Sequence, residues 1–381
     1  MKNILFITTR NPYSGRFSGD VIGSLKIINF LKKKHKVSVV SLGGENLNSK
    51  NLLIFKEQNF FLKACYIFFS FLRLQPFQFG LFFSNPMKKY IARNARNYNI
   101  LFFYHIRSSQ YLPKNFKGKT IIEMGDLYSQ NYLQTFYNLN IYNPLKYIYL
   151  LESFLIKKME QKIFKNFSKI ILFSKDEIKK IPKIFKNKIF NIGLSINFIK
   201  KEFSFSNKKT GILFIGNLKY LPNLLAVRDF IKNIFPSLQK KIPNIKFYII
   251  GDIGKFYKFL LPLQNNIIIL GKKKKINKYI KNSFCGLANL KIATGVQGKV
   301  FTYMSFGLPV ICSKKVELNF KDNVLSYKSD SDLIKKIFYL RKNKKLSNKL
   351  SKKSMNFIKK FNENKICSKY LDIIDFSKKL S

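Results

Sequence analysis

A strand, a loop with two glycines and a short helix follow one another between Ala288 and Cys312, and this pattern can bind a phosphate group. The sequence predicts a helix that begins near Gly298, so that its free backbone N–H groups and the positive end of its dipole face the loop. Gly295 and Gly298 permit close approach to the backbone, and Lys299 adds a positive charge in the first turn. An ordinary strand–loop–helix of an α/β core has the same pattern, so this segment alone leaves both interpretations open.

Two further segments contain motifs in a matching order. The first is R-N-P-Y at 10–13, followed by Gly19 and Asp20, and the second is F-I-G-N-L-K-Y-L-P-N at 214–223. Together with T-G-V-Q-G-K-V-F-T-Y-M-S-F-G-L-P-V-I at 294–311, they resemble the group 1 retaining glycosyltransferases of GT-B architecture. The resemblance is greatest to a bacterial branch that transfers sugars in surface-polysaccharide synthesis, and it extends over roughly residues 3–320.

The predicted elements agree with the fold that this resemblance implies, an α/β architecture of two Rossmann-like domains whose parallel sheets face a cleft. A β-α-β series opens the chain over residues 3–42, and a second series starts at Gly211 after an aperiodic stretch near 196–209. We therefore expect an acceptor-side domain over 1–197, a nucleotide-sugar-binding domain over 208–360, and a C-terminal helix within 361–381 that packs back on the first domain.

The implied reaction moves a sugar from a nucleotide diphosphate sugar, which serves as co-substrate, to a glycan or lipid-linked acceptor. The resemblance implies retention of configuration, no metal or other cofactor, and a role in surface polysaccharide or glycolipid synthesis. Stabilising the charge of the leaving diphosphate is the main chemical requirement. The candidate donor-binding residues are Gly15, Gly19, Lys219, Gly295, Gln297, Gly298, Lys299 and Thr302.

Three residues after predicted strands are the catalytic candidates on the acceptor side. His105 and Arg107 follow the strand 100–104, and Asp126 follows the next one, at the strand ends where α/β sheets bind ligands. Arg107 and Asp126 match the branch, and Asp126 could orient or deprotonate the acceptor hydroxyl. His105 has two interpretations, a structural residue or a contact to sugar or phosphate. Glu160 also matches the branch and has a second interpretation, a residue that only braces the fold.

The chain departs from the wider superfamily at its usual donor-binding residues. Thr294 and Thr302 stand where two glutamates are usual, and Asn217 stands where arginine is common. A threonine hydroxyl can bind a sugar hydroxyl, but it is not the charge-assisted acceptor that a carboxylate is. A catalytically inactive GT-B scaffold is therefore an alternative. A nucleotide-sugar epimerase would need carboxylate bases that this loop lacks.

The net charge of +52 has three competing explanations. AT-rich codon usage would enrich lysine on solvated faces, anionic lipid headgroups would attract basic residues, and nucleic acid would do the same. A basic nucleic-acid-binding protein is thus another alternative, although no nucleic-acid-binding module is recognisable. The four cysteines are expected to be apolar core residues, and they and the two histidines lack metal-site spacing.

We expect a cytoplasmic protein that is peripheral on the inner face of the membrane. The first apolar run is short and interrupted by Arg10, unlike a signal peptide, and the apolar run 64–72 is too short to span a bilayer. The predicted helix 60–73 is rich in phenylalanine and contains Lys63 and Arg73. It has two interpretations, an amphipathic helix at a membrane surface and a helix packed in the first domain's core.

Overall fold

A computed structural model of the chain contains two compact units. The first comprises Met1–Gly193 and the segment from Asn364 onward, and the second comprises Leu194–Glu363. The structure describes residues 1–15, 18–45, 47–196, 203–262 and 265–375, with backbone only at 255 and 256. Residues 197–202 of the expected interdomain stretch, and 376–381 of the expected C-terminal segment, lie outside the described residues.

Eight strands form the sheet of the first unit, in the order β3-β4-β2-β1-β5-β6-β7-β8. Their bounds are β1 Asn3–Thr8, β2 Lys36–Gly43, β3 Leu47–Ser49, β4 Leu52–Lys56, β5 Ile100–Tyr104, β6 Lys119–Gly125, β7 Lys169–Leu172 and β8 Ile189–Asn191. All pairs are parallel except β3 with β4. The predicted parallel sheet thus carries one antiparallel pair at its edge, because the two residues between β3 and β4 can join only antiparallel strands.

The central strands of this sheet are buried on both faces, as expected where helices cover a parallel sheet. Residues 4–7 of β1 and 101–103 of β5 have no exposed surface. The helices are α1 Gly19–Lys32, α2 Phe60–Leu72, α3 Phe77–Leu81, α4 Asn85–Asn94, α5 Tyr128–Asn138, α6 Leu145–Asn166 and α7 Lys175–Lys179. Short 3₁₀ helices cover Ala95–Asn97, Ile106–Tyr111 and Lys183–Lys188.

The second unit has a six-stranded, wholly parallel sheet in the order β11-β10-β9-β12-β13-β14. Its strands are β9 Gly211–Ile215, β10 Lys246–Ile250, β11 Ile267–Gly271, β12 Ser283–Ala288, β13 Val310–Ser313 and β14 Leu325–Tyr327. Its helices are α8 Leu221–Asp229, α9 Phe235–Lys241, α10 Lys255–Phe259, α11 Asn277–Asn282, α12 Gly298–Ser305, α13 Lys314–Glu317, α14 Asp330–Lys342 and α15 Lys344–Ile358. A π-helical turn, Phe230–Ile234, joins α8 to α9, and 3₁₀ helices cover Lys321–Asn323 and Lys359–Phe361.

The last helix, α16 (Glu363–Asp375), packs in the first unit, as predicted. Its buried face includes Ile366 and Tyr370, and the Tyr370 hydroxyl donates a hydrogen bond to the buried Glu123 carboxylate of β6. At its C-terminal end, Lys2 Nζ donates to the Ile374 carbonyl at 2.8 Å and Lys169 Nζ to the Ile373 carbonyl at 2.9 Å. Lysines there satisfy free carbonyl groups and complement the negative end of the helix dipole.

Helix α2 does not pack in the core of the first unit. Within this fully described helix, Ser70 is the one buried residue, whereas Phe60 is 89% exposed and Phe61 73% exposed. The core-packing interpretation of residues 60–73 is therefore wrong. Among the described residues, no helix has the length and apolar character needed to cross a bilayer.

Candidate functional site

The candidate donor residues of the second unit lie where its parallel strands end. Asn217 and Lys219 follow β9, Asp252 follows β10, Lys272 follows β11, and the loop 289–297 follows β12. The carboxyl ends of parallel strands share one edge of the sheet, which is the usual ligand-binding edge of this class of fold.

Lys219 belongs to a three-membered ion cluster at this edge. Its ammonium group lies 3.1 Å from the Asp252 carboxylate, and the Lys272 ammonium lies 3.1 Å from the same oxygen. The hydrogen bond from Lys219, with help from Lys272, holds the pKa of Asp252 below its ordinary value despite partial burial. The cluster has one more positive charge than negative, so it can attract an anion. Sequence reasoning did not identify Asp252 or Lys272, which lie far from any motif.

Gly295, Gln297 and Gly298 shape the entry to helix α12. Gly295 has a φ of +60°, a left-handed conformation that favours glycine. Gln297 precedes the helix with extended backbone, and its side-chain amide donates to the Thr294 carbonyl at 2.9 Å, so it does not cap the helix. The Asn319 amide donates to the Gly295 carbonyl at 2.6 Å and holds the loop. The first turn of α12 thus has no side-chain cap from Gln297, and its N–H groups are suited to an anionic ligand.

Lys299 connects the donor loop to the motif at 214–223. Its ammonium donates to Asn223 Oδ1 at 2.6 Å and lies 4.1 Å from the centre of the Phe214 ring. The Asn223 amide donates in turn to the Asn217 carbonyl at 2.8 Å, which fixes the orientation of the acceptor oxygen. Burial lowers the pKa of Lys299 to about 7. Asn223 was not among the predicted site residues, although it stands within a quoted motif.

The two threonines at the usual glutamate positions differ in environment. The Thr302 hydroxyl donates to the Gly298 carbonyl one turn earlier at 3.2 Å, and its side chain is half-buried. Thr294 is 8% exposed. Neither residue supplies the negative charge that a carboxylate would.

In the first unit, Arg10, Asp20 and Arg107 meet where the strand order changes direction, between β1 and β5. Arg10 Nη1 lies 2.7 Å from Asp20 Oδ2, and Arg107 Nη2 lies 3.9 Å from the same oxygen. The Arg107 guanidinium also stacks on the Phe82 ring at 4.1 Å from its centre. Two guanidinium groups share one carboxylate, so this cluster keeps a net positive charge.

His105 adjoins this cluster and has a strained backbone, with a φ of +72°. Arg107 Nε–H donates to His105 Nδ1 at 3.2 Å, and the imidazole lies 4.4 Å from the Tyr128 ring. Burial, together with the charges of Arg107 and Arg10, holds the pKa of His105 well below its ordinary value. The imidazole is therefore neutral, and its hydrogen is on Nε2 because Arg107 can only donate to Nδ1. Such a group can donate one hydrogen bond to a ligand oxygen.

Asp126 follows β6, the neighbour of β5 in the sheet, so it lies at the same edge as His105 and Arg107. Gly125, with a φ of +74°, turns the chain just before it, and Asp126 is half-buried. In the loop after β1, Gly15 has a φ of +67°, and Gly19 is the first residue of α1. The structure thus brings His105 into contact with Arg107 and places Asp126 on the adjacent strand end.

Glu160 has a structural position. Its buried carboxyl group accepts hydrogen bonds from the Ser129 backbone N–H at 3.0 Å and from the Ser129 hydroxyl at 2.6 Å, at the first turn of α5. It therefore caps a helix inside the first unit. In the described part of the chain, no group of three or more histidine, cysteine or acidic side chains is arranged for metal binding.

Residues 209–342 match the family model described as glycosyl transferases group 1. A search of curated proteins finds no match to the chain.

Solved structures resemble the whole chain at low sequence identity. Sucrose-phosphate synthase from Thermosynechococcus elongatus has a TM-score of 0.72 and 12% identity, with 98% of each chain covered. HepE from Anabaena, in complex with UDP and glucose, has a TM-score of 0.67 and 11% identity, covering 98% of this chain and 99% of HepE. A glycosyltransferase from Rickettsia africae has a TM-score of 0.57 and 14% identity, covering 98% and 97%. The chain has the GT-B fold, and its second unit matches the group 1 glycosyl transferases.

Proposed function

We propose that this protein is a glycosyltransferase that uses a nucleotide diphosphate sugar bound at the carboxyl edge of the second unit. The observation that carries the proposal is the position of Lys299, whose buried ammonium is held by Asn223 in the first turn of a helix that Gln297 leaves uncapped. The family match over 209–342 includes all three of these residues. HepE, a structural neighbour, is described as a complex with UDP and glucose, which favours a uridine diphosphate sugar.

The chemical task is to stabilise the diphosphate as the bond to the sugar breaks. The N–H groups at the start of α12 can donate to phosphate oxygens, and Lys299 can supply a full positive charge. Lys219 and Lys272, which share one carboxylate, add one net positive charge at the same edge. The Gly295 and Gly298 backbone allows the diphosphate to lie close to these donors. Charge stabilisation of this kind needs no metal ion, and we propose that the reaction is metal-independent.

We propose that the acceptor binds at the first unit, beside His105, Arg107 and Asp126. Neutral His105 would donate from Nε2 to a sugar or phosphate oxygen, and Arg107 would bind an anionic group. Asp126 would orient the acceptor hydroxyl or accept its proton. We further propose a retaining reaction with a glycan or lipid-linked acceptor, in the synthesis of surface polysaccharide or glycolipid.

The second candidate function is a catalytically inactive GT-B scaffold. Thr302 favours it, because its hydroxyl donates to the helix backbone and no carboxylate stands at this position. A scaffold of this kind would not turn over a nucleotide sugar, even if it bound the nucleotide.

Isothermal titration with UDP, GDP and ADP, with and without EDTA, tests the proposal. We expect one nucleotide to bind equally well in EDTA, and Lys299→Ala to weaken it by about 1–3 kcal/mol, the range for loss of a charge-assisted contact. Lys349→Ala, an exposed residue of α15, is the matched control and should bind as the unaltered protein does. If none of the three nucleotides binds, the enzyme proposal is wrong. If one binds but no nucleotide sugar is hydrolysed or transferred in a screen, the scaffold is favoured.

A further inference from the structure

Helix α2 presents a large apolar surface. Seven of its side chains are between 38% and 89% exposed, and we call them the α2 surface: Phe60, Phe61, Leu62, Phe68, Phe69, Phe71 and Leu72. Scattered exposed apolar residues are normal, but a continuous helix face of this kind marks a surface that binds a partner.

A basic pocket adjoins the α2 surface. The cavity has a volume of about 440 Å³, and α2 contributes Phe69 to its wall. Arg73, Lys88 and Lys162 supply three positive charges to the lining, and no lining residue is acidic. We call this cavity the α2 pocket. Its combination of aromatic walls and unbalanced positive charge suits an anionic group that is attached to an apolar body.

Helix α6 contributes Lys162 to the α2 pocket. Its exposed face also combines an apolar part with a basic part. Over its first half that face is apolar, with Ile148 49% exposed and Phe154 66% exposed. From Lys157 onward the exposed residues are mostly basic. Two helices of the first unit thus both place exposed apolar side chains next to lysine and arginine.

We propose that the α2 surface docks on an anionic phospholipid membrane and that the α2 pocket binds a lipid headgroup phosphate. Apolar side chains would enter the headgroup–acyl boundary, and the three cations would lie at the level of the phosphates. Charge and apolarity together select this partner over two others. A second copy of a chain with a net charge of +52 would be repelled. The bases of a nucleic acid can stack on the phenylalanine rings, but a nucleic acid offers no apolar phase for Leu62 and Leu72.

This inference goes beyond the proposed transferase activity and does not depend on it. Every residue that carries it belongs to the first unit, whereas the residues proposed to bind the diphosphate belong to the second. Vesicle binding and nucleotide binding can therefore be measured separately, and either can fail without the other.

Flotation of the full chain with vesicles tests whether the α2 surface docks on a membrane. We expect binding to vesicles of phosphatidylglycerol and phosphatidylcholine at roughly 0.1 M salt, and much weaker binding to phosphatidylcholine alone. The double variant Phe60→Ser/Phe68→Ser should lower the partition coefficient about tenfold or more, because two exposed rings no longer leave water. The matched control is Phe259→Ser/Tyr339→Ser in the second unit. Those side chains are 89% and 58% exposed, against 89% and 59% for the α2 pair, and should leave binding unchanged.

The α2 pocket is tested with a charge-matched pair of triple variants. Arg73→Gln/Lys88→Gln/Lys162→Gln should weaken binding to anionic vesicles by about fivefold per charge, since each basic residue near the surface contributes about 1 kcal/mol. Lys344→Gln/Lys345→Gln/Lys349→Gln removes the same charge from α15 and should change binding less than about twofold, because none of these lysines lines the α2 pocket. All six of these side chains are exposed, so we expect the substitutions to leave the fold intact. Melting temperatures equal to that of the unaltered protein check this.

Several results would overturn the proposal. They are equal binding to zwitterionic and anionic vesicles, no flotation at all, or an equal loss of binding to anionic vesicles in the two triple variants. Dimerisation that disappears in Phe60→Ser/Phe68→Ser, without flotation, would make the α2 surface a contact between copies of the chain. Salt-sensitive RNA binding without flotation would make the partner a nucleic acid.

Discussion

At the scale of single residues, Lys299 has the most unusual chemistry in the candidate donor site. A lysine with a pKa of about 7 is largely neutral at pH 8. The neutral form is favoured because burial removes water from the ammonium group and few nearby groups stabilise its positive charge. A diphosphate placed beside it would reverse this preference, since an opposite charge favours the protonated form.

Nucleotide binding at pH 8 should therefore be accompanied by uptake of a proton by Lys299. The pKa in the free protein is about 7, so the pKa in the complex must rise, and the uptake approaches one proton as it rises well above 8. Titration calorimetry in Hepes and Tris, which differ in ionisation enthalpy, measures the number of protons. Lys299→Met should abolish the uptake and Lys349→Met should not. Nucleotide binding without any uptake at pH 8 contradicts a direct contact between Lys299 and the diphosphate.

Asp126 should affect transfer and not donor binding. We expect Asp126→Asn to reduce the transfer rate by about 10²–10⁴-fold if the carboxylate accepts the acceptor proton, with the nucleotide dissociation constant unchanged. The control is Asp176→Asn, which removes a carboxylate paired with Lys179 on the surface of the same unit. A reduction below about threefold would assign Asp126 an orienting role at most.

The sequence predicted the candidate donor loop because glycines, a basic residue and a helix start lie within a few positions of one another. It did not identify Asn223, which lies 76 positions from Lys299. Nor did it identify Asp252 as the partner of Lys219, because that pairing depends on β9 and β10 being neighbours in the sheet. Contacts between distant strand ends have no local signature.

At the scale of elements, buried carboxylates hold the helix starts of the first unit. Glu160 caps α5, and Glu152 accepts from the Phe77 N–H at 2.7 Å and the Gln78 N–H at 3.3 Å at the start of α3. Glu177 accepts from the Leu127 N–H at 3.1 Å, just before α5. A chain with 19 acidic residues among 71 basic ones thus uses several of its few carboxylates inside the protein. Their loss should cost stability directly.

Glu160 should make stability depend on pH. Burial raises the pKa of Glu160 from 4.5 to about 7, so the folded state holds a proton that the unfolded state releases between these values. Its contribution to stability is complete below pH 4.5 and is lost as the pH rises through 7. Relative to Glu160→Gln, the unaltered protein should therefore lose stability between pH 4.5 and 7, as measured by urea unfolding.

Two further variants define the role of Glu160. Glu160→Ala should destabilise by about 1–3 kcal/mol, since the Ser129 N–H loses its partner. Glu57→Gln, which removes a partly exposed carboxylate paired with Lys63, should cost at most about 1 kcal/mol, as is usual for a surface ion pair. A profile of Glu160→Gln that matches the unaltered protein would show that folding does not shift the pKa of this carboxyl group.

The regular elements were largely predictable, and the irregular edge was not. The helix predicted over 60–73 is Phe60–Leu72, and the strand predicted at 100–104 is Ile100–Tyr104, because apolar runs of these lengths are strong signals. The hairpin of β3 and β4 was missed. Strand β3 has three exposed residues, Leu47–Ser49, so it shows no alternation of apolar and polar positions. The sequence also could not predict whether α2 is buried or exposed, because an apolar helix can have the same composition in a protein core and on a surface that binds a partner.

At the scale of the whole molecule, the first unit is built from both ends of the described chain. Lys2 and α16 meet there, and α16 covers Glu123 of the central sheet with Tyr370. The second unit, Leu194–Glu363, is continuous in sequence and contains every donor candidate that lies after residue 200. The two units should therefore respond differently to loss of the last helix.

A chain that ends at Glu363 should keep its nucleotide site and lose the integrity of the first unit. Removal of α16 takes away Ile366, Ile373 and Ile374, exposes the surface of the first unit that they cover, and leaves Glu123 without its tyrosine partner. Limited proteolysis should cut the first unit much faster than in the full chain, while the affinity for the nucleotide stays within about twofold, because the residues proposed to bind the diphosphate belong to the second unit. Equal protease resistance of the first unit in both chains would contradict a stabilising role of α16.

The return of α16 to the first unit also sets an order of events during synthesis. The ribosome releases all described strands of the first sheet early, but the helix that covers Glu123 is made only after the second unit. The second unit has its full set of strands by Tyr327 and its own helices by Ile358, so it can fold as the chain emerges. The nascent first unit must wait with an uncovered apolar face until translation passes Asp375, and that waiting period is when a chaperone would be needed most.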